Sequence, residues 1–311
     1  MITPLNVSWY LLAVDIYLDT HINDVLFTGK LVKSLLIDAN PKLKEVFAKT
    51  SGSIPKLVHV TPLYQSNNGK VRCLYSYAVE NSGGGWRIER VLLNPGVYRF
   101  YIGFVEASSL STLSFDEVYS TILNISGVHE FMNYTVKAEV SSITLVDVAS
   151  RAKSIVKRLV KNSEKLRVVF SSPTLLKDPV RDLIESSEHK SFVPTPMNIF
   201  STPVYILRYL GGLAAGSTKE TLEALHRIIN ETHSYLGTVE RRWIVYEKGK
   251  NPIPTLIGYV NLRLNRKYYE YYNKICNVDK LLESAFTAIS SLGTGTSRAS
   301  GFGHVELTVK S

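Results

Sequence analysis

Only two cysteines, Cys73 and Cys276, occur in the 311 residues of this chain. Two widely separated thiols exclude a disulfide framework and a thiolate metal cluster, and they suit a reducing compartment. No group of His, Asp and Glu has metal-ligand spacing, so neither a metal nor a cofactor is expected. No apolar run approaches membrane-spanning length, and no charged head with an apolar core and cleavage site opens the chain. A cytoplasmic protein without membrane contact is the expectation. Acidic residues are the scarcer charge, 27 Asp and Glu against 36 Lys and Arg, a formal balance of +9. That surplus suits a polyanionic partner, most simply nucleic acid, and charge alone fits a basic protein without such a partner equally well. Apolar residues make up 45% of the chain, which excludes wholesale disorder.

The length suits one large or two ordinary domains. Val7–Leu18 reads as a strand, and Thr28 is placed to cap a helix with the stripe Leu31, Val32, Leu35 and Leu36. Asn40-Pro41 interrupts that helix. Leu43, Val46 and Phe47 continue its apolar face until Ser51-Gly52. Strands follow at Leu57–Tyr64, Val71–Val79 and Trp86–Leu92, the last two around the hairpin signal Asn81–Gly85. Tyr98–Val105 is a further strand, 115–124 a short helix and Val136–Val146 a closing strand. The second half starts at Leu166, with helices near 201–213 and 218–232 and a hairpin of Val239–Tyr246 with Leu256–Leu264. Each half is thus roughly strand, helix, strand pair, helix, strand. The fold class expected is α+β, as two tandem ferredoxin-like (βαββαβ) domains with a cleft between them. Residues 1–150 form the first, 151–165 a basic linker, and 166–311 the second.

The chain's tail is its most specific segment. Asn277 can cap a helix whose face is Val278, Leu281, Leu282, Ala285, Phe286 and Ile289. Gly293 stops it, and His304–Val309 reads as a final strand. Between them Gly293, Gly295, Gly301 and Gly303 bracket Arg298 and the hydroxyls of Thr294, Thr296 and Ser297. Such a loop can expose amides in a concavity that suits phosphate, and Arg298 adds a charged fork. Nucleotide-binding fingerprints place glycines after a strand and before a helix; here the order is reversed, which argues against a dinucleotide site. Residues 151–167 hold seven cations and one acid, Glu164. Wound as a helix, Ala152, Ile155, Val156, Leu159 and Val160 share one side, so the segment is read as a linker helix packed on the sheets, with RNA-backbone contact as the alternative.

The run Gly293-Thr-Gly-Thr-Ser-Arg298-Ala-Ser-Gly-Phe-Gly303-His-Val-Glu-Leu resembles the C-terminal glycine-rich signature of the RAMP superfamily of CRISPR proteins, and most of all the repeat-RNA-processing endoribonucleases. Val169-Phe-Ser-Ser-Pro-Thr-Leu-Leu176 is similar to the segment that opens the second domain of archaeal members. The resemblance implies tandem ferredoxin-like domains and metal-independent cleavage of repeat transcripts. In that reaction the 2′-hydroxyl attacks its own phosphate and leaves a 2′,3′-cyclic phosphate and a 5′-hydroxyl. It needs a base, an acid and cations around the phosphorane. Family members hold these groups around the first helix and the next strand, often with a histidine. Here the first helix carries none, and the chain is similar to archaeal members that rely on lysines.

The candidate catalytic residues are Lys30 and Lys33, three apart on one helix face, with Lys56 and His59. His59 reads more readily as a satisfied structural histidine than as an acid–base residue. Candidate RNA-binding residues are Gly293, Gly295, Ser297, Arg298, Gly301, Gly303, Arg241 and Arg242, with Trp243 and Tyr246 as stacking surfaces. Expected partners are CRISPR repeat RNA and, by the resemblance, other CRISPR effector subunits or a second copy in a homodimer. Lysines are poor bases at neutral pH, so slow turnover is expected. Two alternatives stand beside the nuclease: a non-catalytic RNA-binding subunit of a CRISPR effector complex, and an unrelated nucleotide-binding enzyme.

Overall fold

The structure, a computed structural model, describes residues 7–48, 54–67, 70–108, 110, 112–162, 164–180, 189–213, 217–232 and 237–310. The helix stop expected at Ser51-Gly52 lies outside the described residues.

The first sheet runs in the order Gly127–Phe131, Tyr134–Leu145, Val7–Leu18, Gly96–Ala107, Tyr64–Asn67, Lys70–Cys73, with Val58–Val60 also on Gly96–Ala107. Without its outer strands this is the antiparallel order of a ferredoxin-like domain. Val7–Leu18 pairs along its whole length with Gly96–Ala107. Helix Thr28–Ala39 buries Leu31, Val32, Leu35 and Leu36 in a core with Leu12, Val14, Ile16, Phe100, Ile102 and Phe104. Each such side chain, fully buried, contributes roughly 1.5–3 kcal/mol. Thr28 does not cap the helix. The N-cap is Phe27, without a side-chain bond. The Thr28 hydroxyl is buried instead, accepting from Leu63 N at 2.9 Å and donating to the Leu74 carbonyl. The strand expected over Leu57–Tyr64 is broken at Thr61–Leu63, where Pro62 has no N–H for a ladder.

The second sheet has the order Val305–Lys310, Lys165–Thr174, Ile253–Leu264, Val239–Ile244, Tyr77–Glu80, Trp86–Glu89. The last two strands come from the first half of the chain: Ala78 and Tyr77 pair with Trp243 and Ile244. The strands expected over Val71–Val79 and Trp86–Leu92 are therefore each divided between sheets. Ser76 is the pivot. It is fully buried, its hydroxyl donates to Val25 O and accepts from Val91 N, and its carbonyl accepts from Val245 N at 3.1 Å.

Helices Pro196–Tyr209, Thr218–Ile228 and Val278–Leu292 cover one face of this sheet, together with the basic helix Val148–Asn162. The first starts earlier than expected because Thr195 caps it and Pro196 takes the first turn. Ser217 and Glu220 form a capping box on the second, which stops at Ile228 because Ile229–Glu231 joins the sheet. Asn277 caps the third, accepting from Lys280 N. Helix Val148–Asn162 buries Ala152, Ile155, Val156 and Leu159 in the second core. Among the described residues no helix is long and apolar enough to cross a membrane.

Candidate functional site

The glycine-rich tail lies at the seam between the two halves. Gly303 shows why a side chain is excluded there. Its φ is +80°, and an added Cβ would stand 2.0 Å from the Thr294 carbonyl oxygen. The tail's amides are largely engaged within the protein. Thr294 N donates to Gly303 O, Thr296 N to Leu175 O, Gly301 N to Arg298 O and Gly303 N to Pro173 O. The glycines thus let strands of main chain pack against one another; the bare-amide concavity expected from the sequence is mostly filled. Gly293, Gly295, Gly301 and Gly303 are all buried, and Ser297, in the left-handed conformation, is the exposed apex. The Phe27 ring, which leads into the first helix, stacks on Phe302 with centroids 4.6 Å apart.

Arg298 is turned inward. It is 6% exposed, and its guanidinium donates to Leu292 O at 2.9 Å and Lys56 O at 2.8 Å. Burial lowers its pKa to about 10. The phosphate fork expected from the sequence is therefore corrected to a tie between the halves, since both donor edges already hold carbonyl oxygens. His59 is likewise corrected. It is fully buried, with Nδ1 3.1 Å from Arg298 O and Nε2 3.4 Å from His304 Nδ1. A carbonyl can only accept, so Nδ1 of His59 carries the proton and His304 donates to its Nε2. Burial lowers both pKa values, that of His304 to about 4. Both imidazoles are neutral at neutral pH, and the His59 ring is closed off from solvent.

The three candidate lysines do come together at the surface of this seam. Lys30 and Lys33 stand on the outer side of their helix, each partly buried. Lys30 Nζ sits 4.0 Å over the Tyr246 ring and 3.5 Å from Glu247, on the hairpin of the other half. Lys33 Nζ donates to Phe47 O at 3.3 Å, and Lys56 Nζ to the same oxygen at 2.8 Å. Lys56 also reaches the carbonyls of Val46 and Ala48, a cation at the open end of the short helix Leu43–Phe47. Desolvation lowers the pKa of all three. Lys33 is lowered further by Lys30. Lys56 falls to about 8, with Lys33 and then Arg298 adding to the effect of burial. Lys30, Lys33, Lys56 and Arg298 thus form a cationic row, in which Glu247 pairs with Lys30.

Arg241 and Arg242 part company, because successive strand residues face opposite ways. Arg241 lies 5.2 Å from the Trp243 ring on one face. Arg242 packs 4.6 Å over Tyr77, pairs with Glu240 at 2.7 Å, and lines an open cleft of about 900 Å³ between the halves. Tyr64, Arg72, Cys73, Tyr75 and Tyr77 line its first-half wall, and Ser171, Tyr259 and Glu306 its second. Burial raises the Tyr75 pKa to about 12 and holds the Cys73 thiol protonated. Arginines interleaved with tyrosines suit stacked bases and a phosphate backbone. Sequence reasoning missed Arg72, Tyr75 and Tyr259; the only signal was the alternation Cys73-Leu-Tyr75-Ser-Tyr77, one pattern among 18 tyrosines.

No protein-family model matches the chain, and no curated protein matches it in sequence. Solved structures do share its fold. Thermus thermophilus Cas6 is 13% identical over 97% of this chain and 99% of its own, with a TM-score of 0.52. A chain of a partial Cas6-RT-Cas1–Cas2 complex is 14% identical, with a TM-score of 0.56, over all of this chain and 47% of that one. The product of a Cas6-related gene from Pyrococcus furiosus is 9% identical over 97% and 99%, with a TM-score of 0.52. These likenesses establish the tandem ferredoxin-like fold.

Proposed function

We propose that this chain belongs to the RAMP superfamily and matures CRISPR RNA, as an endoribonuclease that cuts repeat transcripts by 2′-hydroxyl attack. The observation that carries this reading is the lysine row: three ammonium groups, each made more acidic by burial, at one surface of the seam. The tail's resemblance to the RAMP signature and the shared fold support the family. In this reading Lys30 and Lys33 neutralise the crowded phosphorane. Lys33, with a single carbonyl partner, protonates the departing 5′ oxygen. Lys56 is held by helix carbonyls and acts by its field. Ser297 offers its hydroxyl at the apex of the tail, while the buried glycines and Arg298 hold that apex in place. Arg242 and the cleft tyrosines hold flanking nucleotides. With His59 and His304 sealed away, the 2′ proton passes to solvent, and turnover is slow.

Incubation with cognate repeat RNA in EDTA tests this. The expected products carry a 2′,3′-cyclic phosphate and a 5′-hydroxyl, and a 2′-deoxy substitution at the cut site blocks the reaction. Cutting of the deoxy substrate refutes the mechanism. A second reading, a non-catalytic RNA-binding subunit, is favoured by one observation: the Lys56 ammonium is spent on three main-chain carbonyls. It predicts salt-sensitive binding with no cutting at any enzyme excess.

A further inference from the structure

On the second sheet, Leu166, Val168, Val260 and Leu262 face the helices and are buried. Alternation places Lys165, Arg167, Val169 and their cross-strand partners on the opposite, uncovered face. Val169, Tyr259 and Glu306 occupy one row there, at the edge of the cleft. One step further out is Arg167, whose guanidinium lies 4.0 Å from the Tyr259 ring and donates to Asn261. A second step out, Lys165 stands directly opposite Arg263 on one neighbouring strand and Lys310 on the other.

Three cations in register are unfavourable for the fold by itself, because like charges directly opposite repel. All three are exposed, and among the described residues none has an ion-pair partner. Glu164, next to Lys165 in sequence, is already taken by Arg158 and Asn162. The row lies roughly 13 Å from the Tyr259 row, four residues at about 3.3 Å each. Each two-residue step is close to the interval between neighbouring phosphates of an extended strand. Little apolar side-chain surface accompanies the cations on this face, which favours a phosphate backbone over a lipid surface.

We infer that Lys165, Arg263 and Lys310 form a phosphate-binding row for single-stranded RNA, continuing the cleft across the open face of the second sheet through the stacked Arg167–Tyr259 pair. This rests on the RNA-binding reading above and adds a site to it. The test compares the unaltered chain with the triple variant Lys165→Ala, Arg263→Ala, Lys310→Ala. Each binds a diuridylate, whose single phosphate cannot bridge the two intervals from the cleft edge to the row, and an oligouridylate of about twelve nucleotides. At about 0.7 in the log–log salt slope per phosphate contact on a single strand, the variant's slope for the longer RNA is shallower by about 0.7 for each phosphate the row holds, about 2 if each cation holds its own, and that for the shorter RNA is unchanged. The variant's melting temperature stays level or rises, since repulsion is relieved. An unchanged slope on the longer RNA overturns this row while leaving RNA binding intact. Absence of RNA binding by the unaltered chain overturns both readings. A loss confined to anionic vesicles, or a lowered melting temperature, also overturns it.

Discussion

The inward turn of Arg298 makes a prediction in which magnitude separates two roles. In Arg298→Met the side-chain volume is nearly kept, but the carbonyls of Leu292 and Lys56 lose their donors at 2.9 and 2.8 Å. Each buried carbonyl left unsatisfied costs about 1–3 kcal/mol. Removing an unpaired buried cation offsets part of this. The expected net loss is about 2–4 kcal/mol, a large fraction of the roughly 5–15 kcal/mol that holds a typical domain. Arg298→Lys can serve one carbonyl but not both, and should fall between. Urea denaturation of the three proteins measures this, with RNA affinity determined on the folded fraction. A guanidinium that tied the halves would show its effect in the denaturation midpoint. If Arg298→Met unfolds within about 0.5 kcal/mol of the unaltered chain, yet binds RNA more than tenfold more weakly, the inward placement is refuted and the residue faces the ligand.

Replacing Lys30 and Lys33 together by alanine should lower the single-turnover cleavage rate by about tenfold to a thousandfold while leaving most RNA affinity; an unchanged rate removes the lysine row from the chemistry. The buried imidazoles make stability pH-dependent. Their folded pKa values lie below the ordinary 6.5, so the unfolded chain binds more protons. The stability they allow is complete above pH 6.5 and declines as pH falls toward about 4. His304 alone accounts for something on the order of 3 kcal/mol across that interval. Denaturation midpoints that stay flat from pH 7 to pH 4.5 would contradict their burial. Gly103→Ala would place a Cβ 1.8 Å from the Ser291 carbonyl oxygen, backbone against backbone where the halves meet. A loss of about 3 kcal/mol is expected, measured in the same denaturation assay, and a neutral outcome would show that the seam yields easily.

The elements most legible in the sequence are those whose signals are local. Val278–Leu292 has Asn277 at its start, an apolar repeat of helical period, and a glycine stop, and the helix ends at each signal. Val7–Leu18 and the hairpin of Val239–Ile244 with Ile253–Leu264 carry enough β-branched and apolar residues to be read alone. The assignment of Tyr77–Glu80 to the second sheet could not be read, because which sheet a strand joins is a choice among distant partners, here the pairing of Tyr77 and Ala78 with Ile244 and Trp243 and the Ser76 carbonyl on Val245 N. The clustering of Lys56 with Lys30 and Lys33 was approached through a family resemblance; spacing alone places only the two helical lysines together.

What the residues determined unaided is the order of the main secondary elements, the apolar faces of several helices, and a surplus of positive charge. Periodicity and capping act within a few residues of themselves, so they survive without knowledge of the fold. What only the tertiary structure decided is the direction and surroundings of the polar groups: Arg298 inward, Arg241 and Arg242 on opposite faces, His59 sealed, and Lys56 made more acidic by neighbours as distant in the chain as Arg298. A glycine leaves space without saying whether a ligand or another strand of backbone will fill it. In this chain backbone fills that space, at Gly303 as at Gly103.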